Sequence, residues 1–592
     1  MSTLLHRLAR WAESTPSHVA QTYKEGGVWK EITAREYCDR VYFLALYLES
    51  QGFTANDITC IYSPNNPQWV HLDLGTILLG AKSAGVYPNS TPREVEYILG
   101  HTEAKVLGVQ NKELFDKIKV PASVEKIIVF EGDASFSSKA VSYREALSAG
   151  EKLAKSARKL DDYLGKLNPN EGQYIIYTSG TTGTPKGAML SSDNFCYTSD
   201  RVSDFWKLPK SGSLFSFLPL CHVAEKIHSL GVGITNRYTT HFATKFENVA
   251  TELPEVQPTL LLCVPRLWEK MMEGVINKVA RGKGAQKTMA EWALGVGERV
   301  AVAKFSGKFA NPFDLIQLKL ADKLVLSKIR SALGLGHANL LASGAAALPP
   351  HVAKWFRILG FEIYEDFGQT ESTGVICMTE PGVEASGTVG KPVPGMEVKL
   401  GSDGEVLTRG RHVFKGYFKN PEATAETILD GWLHTGDLAE IDPKTGLMRI
   451  RGRKKEILKT SGGKMIAPLP LEERLKASPL IGQVCMVGDG RKYLSALITL
   501  SETKMEELKG QDFSHGETIT DSTILSDIKA AVDQLNRTLA SFEQIKRFAV
   551  LAKEFSIADG EMTPTLKMKR NIIESRYKNL IDSLYNGASE VA

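Results

Sequence analysis

Five aliphatic hydroxyls (Thr178, Ser179, Thr181, Thr182, Thr184), three glycines (Gly180, Gly183, Gly187) and Lys186 fall within residues 177–187. Glycines let successive backbone N–H groups turn toward an anion, and a lysine supplies positive charge, so the run reads as a phosphate cradle. It departs from the kinase-type P-loop. Pro185 precedes Lys186 and Gly187 follows it, so the hydroxyl that usually reaches magnesium is missing. The bland alternative is a Thr/Gly-rich surface turn, against which so many specified positions in succession argue.

The cradle needs a rigid mount. The apolar run Tyr174-Ile-Ile-Tyr177 reads as a buried strand, which places the polar run in the loop at its end. From Ile58 to Tyr87, apolar strand-like runs alternate with helical stretches, and the pattern returns around Ile127, Ile175, Leu260 and Leu340. That alternation predicts an α/β fold of parallel-sheet layers covered by helices. A Lys/Ala/Leu-rich segment, 271–335, predicts a mostly helical insertion. After Gly395, Glu397-Val-Lys-Leu400 and Gly404-Glu-Val-Leu407 alternate apolar and polar residues between glycine turns, as short antiparallel strands do. The expected organisation is a large N-terminal domain, 1–452, carrying a small β-barrel-like subdomain at 395–450. A smaller mobile α+β domain, 453–592, follows the basic cluster Arg451 to Lys455.

The loop closely resembles the phosphate loop of the adenylate-forming (AMP-binding) superfamily, which includes acyl-CoA synthetases, luciferases and peptide-synthetase adenylation domains. Further stretches match in order: Phe217-Leu-Pro-Leu-Cys-His-Val-Ala-Glu225, Ser343-Gly-Ala-Ala-Ala-Leu-Pro349 and Tyr364-Glu-Asp-Phe-Gly-Gln-Thr-Glu371. Asp430-Gly-Trp-Leu-His-Thr-Gly-Asp437, Arg451-Gly-Arg-Lys-Lys-Glu456 and Thr563-Pro-Thr-Leu-Lys-Met-Lys-Arg570 complete the set. The chain is identified as a member of that superfamily over almost its whole length.

The resemblance implies attack of a carboxylate on the α-phosphate of ATP, giving acyl-AMP and pyrophosphate, then displacement of AMP by the CoA thiol. Thr178, Ser179, Thr181, Thr182 and Lys186, with Gly180 and Gly183, match the cradle for the β- and γ-phosphates. Glu371 matches the Mg2+ ligand, a single carboxylate beside substrate phosphates being how that ion is typically held; outside the motif it would read as a solvated surface charge. Thr370 matches a phosphate contact. Asp366, Phe367 and Gly368 match the nucleotide-binding segment, Phe367 at the adenine-stacking position where a core phenylalanine is the competing reading. Gly344 and Ala345 match residues whose backbone approaches adenine.

Asp437 matches the carboxylate that accepts both ribose hydroxyls, with Arg453 supporting the ribose. Lys567 matches the adenylation lysine, and Lys569 is its weaker neighbour. Lys455 matches the hinge about which the C-terminal domain rotates. Lys459 and the hairpin residues Gly462 and Gly463 would then face the thioester-forming side, although a plain β-turn looks the same in sequence. His222 matches a position at the acyl-site entrance, read as a gate and not as a base. Glu225 is unassigned.

Composition narrows the class. The 72 basic and 68 acidic residues nearly cancel, so no nucleic-acid partner is expected. Seven scattered cysteines without a C-x-x-C pair fit a reducing compartment free of disulfides and zinc. No apolar run reaches the length of a membrane span and no signal peptide is expected, which points to a cytoplasmic protein. Leu4, Leu5, Leu8, Trp11 and Ala12 make one helical face behind Thr3, read as docking on the protein's own core in preference to a bilayer. Peripheral membrane attachment and a homodimer both stay open.

Among subfamilies, the stretch from Asp430 to Lys455, the run Val264-Pro-Arg-Leu-Trp-Glu-Lys270 and the helical insertion resemble the long-chain fatty acyl-CoA synthetases. The implied partners are a fatty acid, ATP and CoA. Three alternatives share the nucleotide motifs: a fatty acyl-AMP ligase loading a carrier protein, an aryl or amino-acid activator, and a non-catalytic membrane or interaction module.

Overall fold

Apolar runs separated by capped helices build the first sheet. Strands Ile58–Tyr62, Lys82–Val86 and Val106–Val109 are buried along nearly their whole length, as parallel strands covered on both faces must be. Between the first two, helix Pro67–Leu78 is started by Asn66, which accepts the Trp69 N–H, and by Pro67 at its first position. The computed structural model describes residues 2–178, 184–381, 385–508, 514–563 and 567–586.

This sheet has seven strands. Gly172–Thr178 lies parallel to Lys82–Val86 and antiparallel to Lys186–Ser191, with Thr178 opposite Lys186. Thr178 therefore stands at the carboxyl end of a buried strand, the edge at which open α/β sheets bind ligands.

A nine-stranded sheet forms the second layer. Its parallel centre runs through Ile363–Phe367, Leu340–Ser343, Leu260–Cys263, Ser213–Ser216 and Thr239–Phe242. Ser343 pairs with Glu365, so Gly344-Ala345 and Phe367-Gly368 emerge side by side at the same sheet end. Helix Leu4–Ser14, capped by Thr3, buries Leu4, Leu5, Leu8, Trp11 and Ala12 in the core shared with the first sheet. Its apolar face is spent on the protein itself.

The helical segment begins at Pro265, earlier than the expected 271, because the proline opens helix Pro265–Arg281 directly after strand Leu260–Cys263. Helices Gly284–Phe305, Pro312–Ala321 and Ser327–Ala332 follow. The β-rich stretch expected to be barrel-like is an antiparallel sheet of five strands, built on Glu405–Arg409, Trp432–Ile441 and Met448–Arg453, and no pairing closes it among the described residues. A further five-stranded sheet, with helices Pro468–Leu475 and Ser522–Asn536 packed on it, forms a separate apolar core toward the C-terminus. All seven cysteines are free and buried. Among the described residues no helix is long and apolar enough to cross a membrane.

Candidate active site

The two strand ends of the nine-stranded sheet meet closely. A Cβ on Gly344 would collide with Asp366 Oδ1 where that side chain now stands, and one on Gly368 would lie 2.5 Å from the Gly374 carbonyl oxygen, so the second position demands glycine. Ala345 takes a left-handed φ of 70°, an uncommon conformation for a residue with a Cβ. Asp366 Oδ1 is buried without a hydrogen-bond partner among the described residues, and burial raises its carboxyl pKa to about 7. Phe367 is half-buried against the apolar cluster of the antiparallel sheet.

Ser179, Gly180, Thr181, Thr182 and Gly183 lie outside the described residues. Thr178 and Lys186 frame their loop, the Thr178 hydroxyl donating to the Lys186 carbonyl at 3.4 Å. Residues 414–418 lace along the strand that Lys186 opens: Met189 N–H donates to the Gly416 carbonyl at 2.9 Å, and Phe418 N–H to that of Gly187 at 2.7 Å. This pairing carries Tyr417 to the site. Lys186 Nζ sits 5.1 Å from the Tyr417 ring centroid, and the Tyr417 hydroxyl donates to Glu371 Oε1 at 2.6 Å. Burial and the Glu371 carboxylate push the phenol well above its ordinary pKa, so it stays a donor.

Thr370 and Glu371 open a short 3-10 turn and are both buried. The Glu371 carbonyl accepts the Phe414 N–H at 2.8 Å, which fixes the turn to the same lacing segment. With Oε1 committed to Tyr417, Oε2 has no hydrogen-bond partner among the described residues. One anchored carboxylate with a free oxygen fits a Mg2+ whose other ligands are phosphate and water. No group of three or more His, Cys, Asp or Glu side chains that could hold a metal occurs among the described residues.

Asp437 and Arg453 face each other across paired strands as an ion pair, with Arg453 Nε 3.0 Å from Asp437 Oδ1. Burial raises the Asp437 carboxyl pKa, while Arg453 and then Lys567 oppose that shift. Lys567 arrives from the C-terminal sheet region. Its backbone is pinned to Thr563, whose N–H donates to the Lys567 carbonyl at 2.7 Å and whose hydroxyl accepts the Lys567 N–H at 3.0 Å. Burial, then Arg453, depress the Lys567 pKa to about 8, against the attraction of Asp437, Glu456 and Glu371.

The same ammonium acts electrostatically on His222, which caps the short helix Val223–Glu225 by accepting the Ala224 N–H on Nδ1 at 3.2 Å. Burial and then Lys567 lower the His222 pKa to about 3, so the ring is neutral. Glu225, unassigned from sequence, is fully buried and accepts the Ser229 hydroxyl; burial raises its pKa to about 7.

Lys567, Asp437, Arg453, Glu371 and His222 are thus brought into one neighbourhood. Lys455, Lys459, Gly462 and Gly463 are not: all four are exposed, Lys455 in a 3-10 turn and the others on the hairpin formed by Leu458–Lys459 and Met465–Ile466. Lys569 N-caps helix Arg570–Arg576.

Sequence reasoning missed Tyr417, for which a glycine-flanked aromatic on a loop was the one faint signal. It also missed the ionic contact that seats the C-terminal region. Arg266 lies within 4 Å of four carboxylates: Glu269 (3.2 Å) and Glu273 (3.9 Å) on its own helix, and Glu554 (3.4 Å) and Glu502 (3.9 Å) in the C-terminal region. Lys270 adds a pair with Glu502 at 2.9 Å.

The model of the AMP-binding enzyme family matches residues 8–418, and that of the AMP-binding enzyme C-terminal domain matches residues 455–589. The chain is 32% identical to Mycobacterium tuberculosis long-chain-fatty-acid–CoA ligase FadD15, across 96% of this chain and 95% of that protein. It is 30% identical to Homo sapiens long-chain-fatty-acid–CoA ligase ACSBG2, across 96% and 90%. The chain therefore belongs to the AMP-binding enzyme family, in its long-chain acyl-CoA synthetase branch. Among solved structures, the anthranilate CoA ligase AuaEII in complex with anthranoyl-AMP superposes with a TM-score of 0.74 at 20% identity, covering 98% of each chain. The A domain of a Segniliparus rugosus carboxylic acid reductase does so at 0.72 and 20% identity, covering 99% of this chain and 94% of that one. At those identities the likeness is one of fold.

Proposed function

We propose that this protein joins a long-chain fatty acid to CoA in two steps, forming acyl-AMP and pyrophosphate from ATP, then acyl-CoA and AMP. The observation that carries the reading is the meeting of Lys567 with Asp437, Arg453 and Glu371, four residues from three distant stretches of chain.

In the first step the carboxylate oxygen attacks the α-phosphorus and pyrophosphate leaves, a displacement that depends on position and charge neutralisation. Lys186 and the hydroxyl-rich loop, Thr178 included, would hold the β- and γ-phosphates, with Thr370 beside them. Glu371, steadied by Tyr417, would hold Mg2+, which supplies neutralising charge to the phosphates when bound. Asp437 would take the ribose hydroxyls with Arg453 in support. Gly344, Ala345, Phe367 and Gly368 would line the adenine, and the unpartnered Asp366 oxygen would accept a hydrogen from it. Lys567 would stabilise charge at the α-phosphate and the carboxylate. No base is needed, since a fatty acid is ionised near neutral pH; neutral His222 would act as a gate.

For the second step, the region beyond Lys455 would turn so that Lys459 and the Gly462-Gly463 hairpin replace Lys567 at the site. The test is pyrophosphate release and thioester formation across acids from C6 to C24, with and without CoA. Release that depends on a long-chain acid, followed by thioester, supports the reading. ATP binding with no acyl-AMP from any carboxylic acid overturns it, and acyl-AMP that never reaches CoA redirects it to carrier loading.

A further inference from the structure

Seven of the large apolar side chains exposed among the described residues crowd into one short stretch: Val302, Phe309, Phe313, Leu315, Ile316, Leu320 and Leu324. Such crowding makes a patch and not the single scattered residues that every surface carries. Helix Pro312–Ala321 is started by Asn311 and Pro312, and Phe313, Ile316 and Leu320 recur on it at spacings of three and four, on one face. That face points outward: Phe313 is 64% and Ile316 68% exposed, and Phe309 in the preceding turn is wholly exposed. A helix that turns its apolar stripe away from its own core has a partner elsewhere.

The charges around the stripe say which. Lys304, Lys308, Lys319, Lys323 and Lys328 are all exposed, and none forms an ion pair among the described residues. The acidic residues of the same stretch are already neutralised: Asp314 pairs with Arg299 at 3.0 Å and Asp322 with Arg330 at 2.6 Å. Beside the stripe opens a groove of about 380 Å3 whose lining includes Phe305, Phe361, Lys304 and Lys319. Lysine is depleted at the centres of protein–protein interfaces, whereas an apolar stripe edged with lysines is how a helix lies in the headgroup layer of a bilayer. Long lysine stems lie along apolar surface while their ammonium groups stay with phosphates.

We propose that the face formed by residues 302–324 docks this protein on an anionic lipid bilayer, with Phe309, Phe313, Ile316 and Leu320 entering the interface and the flanking lysines meeting lipid phosphates. The N-terminal amphipathic helix plays no part, because its apolar face is buried. This inference goes beyond the catalytic reading and does not depend on it.

The test is flotation of the full chain with vesicles of phosphatidylcholine alone or containing a minority of phosphatidylglycerol, at low and high salt. Wild type is expected to float with the anionic vesicles, less so at high salt, and weakly with the neutral ones. The double variant Lys319→Glu with Lys323→Glu is expected to lose on the order of 100-fold in partitioning to anionic vesicles. Phe313→Ser with Ile316→Ser is expected to lose at least about 10-fold on both kinds of vesicle, from the lost apolar area. These positions are exposed, so unchanged circular dichroism and unchanged thioester formation from a soluble short-chain acid would show both variants folded. Wild type that stays in solution with anionic vesicles, or variants that float as well as wild type, overturns the proposal. So does a concentration-dependent dimer that Phe313→Ser abolishes while vesicle binding is absent, since the stripe would then serve a second copy.

Discussion

Lys567 offers the sharpest test of the site, because its charge state is set by its surroundings. Held by Thr563 and placed near Arg453, Asp437, Glu456 and Glu371, its ammonium has a pKa depressed to about 8, burial being the larger cause and Arg453 the next. On the proposed mechanism the cation would be the useful form, since it would meet negative charge building at the α-phosphate. Above pH 8 the free enzyme loses it. A group of pKa about 8 is about nine-tenths protonated at pH 7 and about one-tenth at pH 9, so kcat/KM for acid-dependent pyrophosphate release should fall about ten-fold over that range. The limb in kcat should lie higher, because bound triphosphate favours the charged lysine.

Lys567→Ala should lower pyrophosphate release by on the order of 10²–10³-fold, the scale for losing one preorganised electrostatic contact, and should erase the alkaline limb. Lys567→Arg should flatten the limb while keeping part of the rate, since guanidinium stays charged. Supplied with synthetic acyl-AMP, the Ala variant should still transfer to CoA at a near-normal rate, which separates lost chemistry from lost folding. A wild-type profile flat to pH 10 would refute the reasoning, as would an Ala variant that keeps the limb or more than about a tenth of the rate.

Asp437→Asn removes the charge facing Arg453 and should raise KM for ATP by roughly 10–100-fold, the range for weakening two charge-assisted hydrogen bonds, as steady-state kinetics would read. Tyr417→Phe frees Glu371 Oε1 and should cost about 1 kcal/mol of its positioning, seen as a several-fold higher Mg2+ requirement for pyrophosphate release. Arg266→Ala leaves Glu554 without its main countercharge and should weaken adenylation several-fold more than thioester formation if, as proposed, only the first step uses this docking; equal loss in both halves would contradict it. Glu225→Gln tests linkage. The folded-state pKa of Glu225 is raised to about 7, so the folded protein holds a proton that the unfolded chain releases, and stability falls as pH rises from about 4.5 through 7. The variant should gain roughly 1–3 kcal/mol relative to wild type on going from pH 5 to pH 8, measured by urea denaturation.

Local patterns made the sheets legible in the sequence. Tyr174-Ile-Ile-Tyr177 lies in a buried strand, because burial on both faces is written in adjacent residues. Helix Pro265–Arg281 starts earlier than expected, since a proline at a first helical position looks in sequence like a boundary between segments. Contacts between distant stretches were not legible. Tyr417 reaches Glu371 only through the lacing of residues 414–418 along the strand after the phosphate loop, a register that no local pattern encodes. Arg266 and Glu554 are 288 positions apart, and each alone reads as a solvated charge. Glu225 looked like one more motif carboxylate; its burial depends on how the π-helical turn Lys226–Val232 packs.

The nature of the contact between helix Pro265–Arg281 and the C-terminal region bears on how the proposed site could serve two reactions. The C-terminal region has apolar clusters of its own, so it does not need the body of the protein to complete its core. At helix Pro265–Arg281 it meets that body through charges and a polar pair: Arg266 and Lys270 with Glu502 and Glu554, and Asn277 with Thr503 at 3.2 Å. Partly exposed ion pairs contribute only about 1 kcal/mol each, because water solvates both partners once they separate. An apolar face of similar extent would be costly to open. On the proposed mechanism, a polar seat of this kind would hold Lys567 near Asp437 for the first step and would release without exposing a hydrophobic core when the hairpin at Gly462 takes its place. Filling the seat with carbon, as in Arg266→Leu with Glu554→Leu, should therefore preserve acyl-AMP formation and slow its transfer to CoA, the opposite bias to Arg266→Ala.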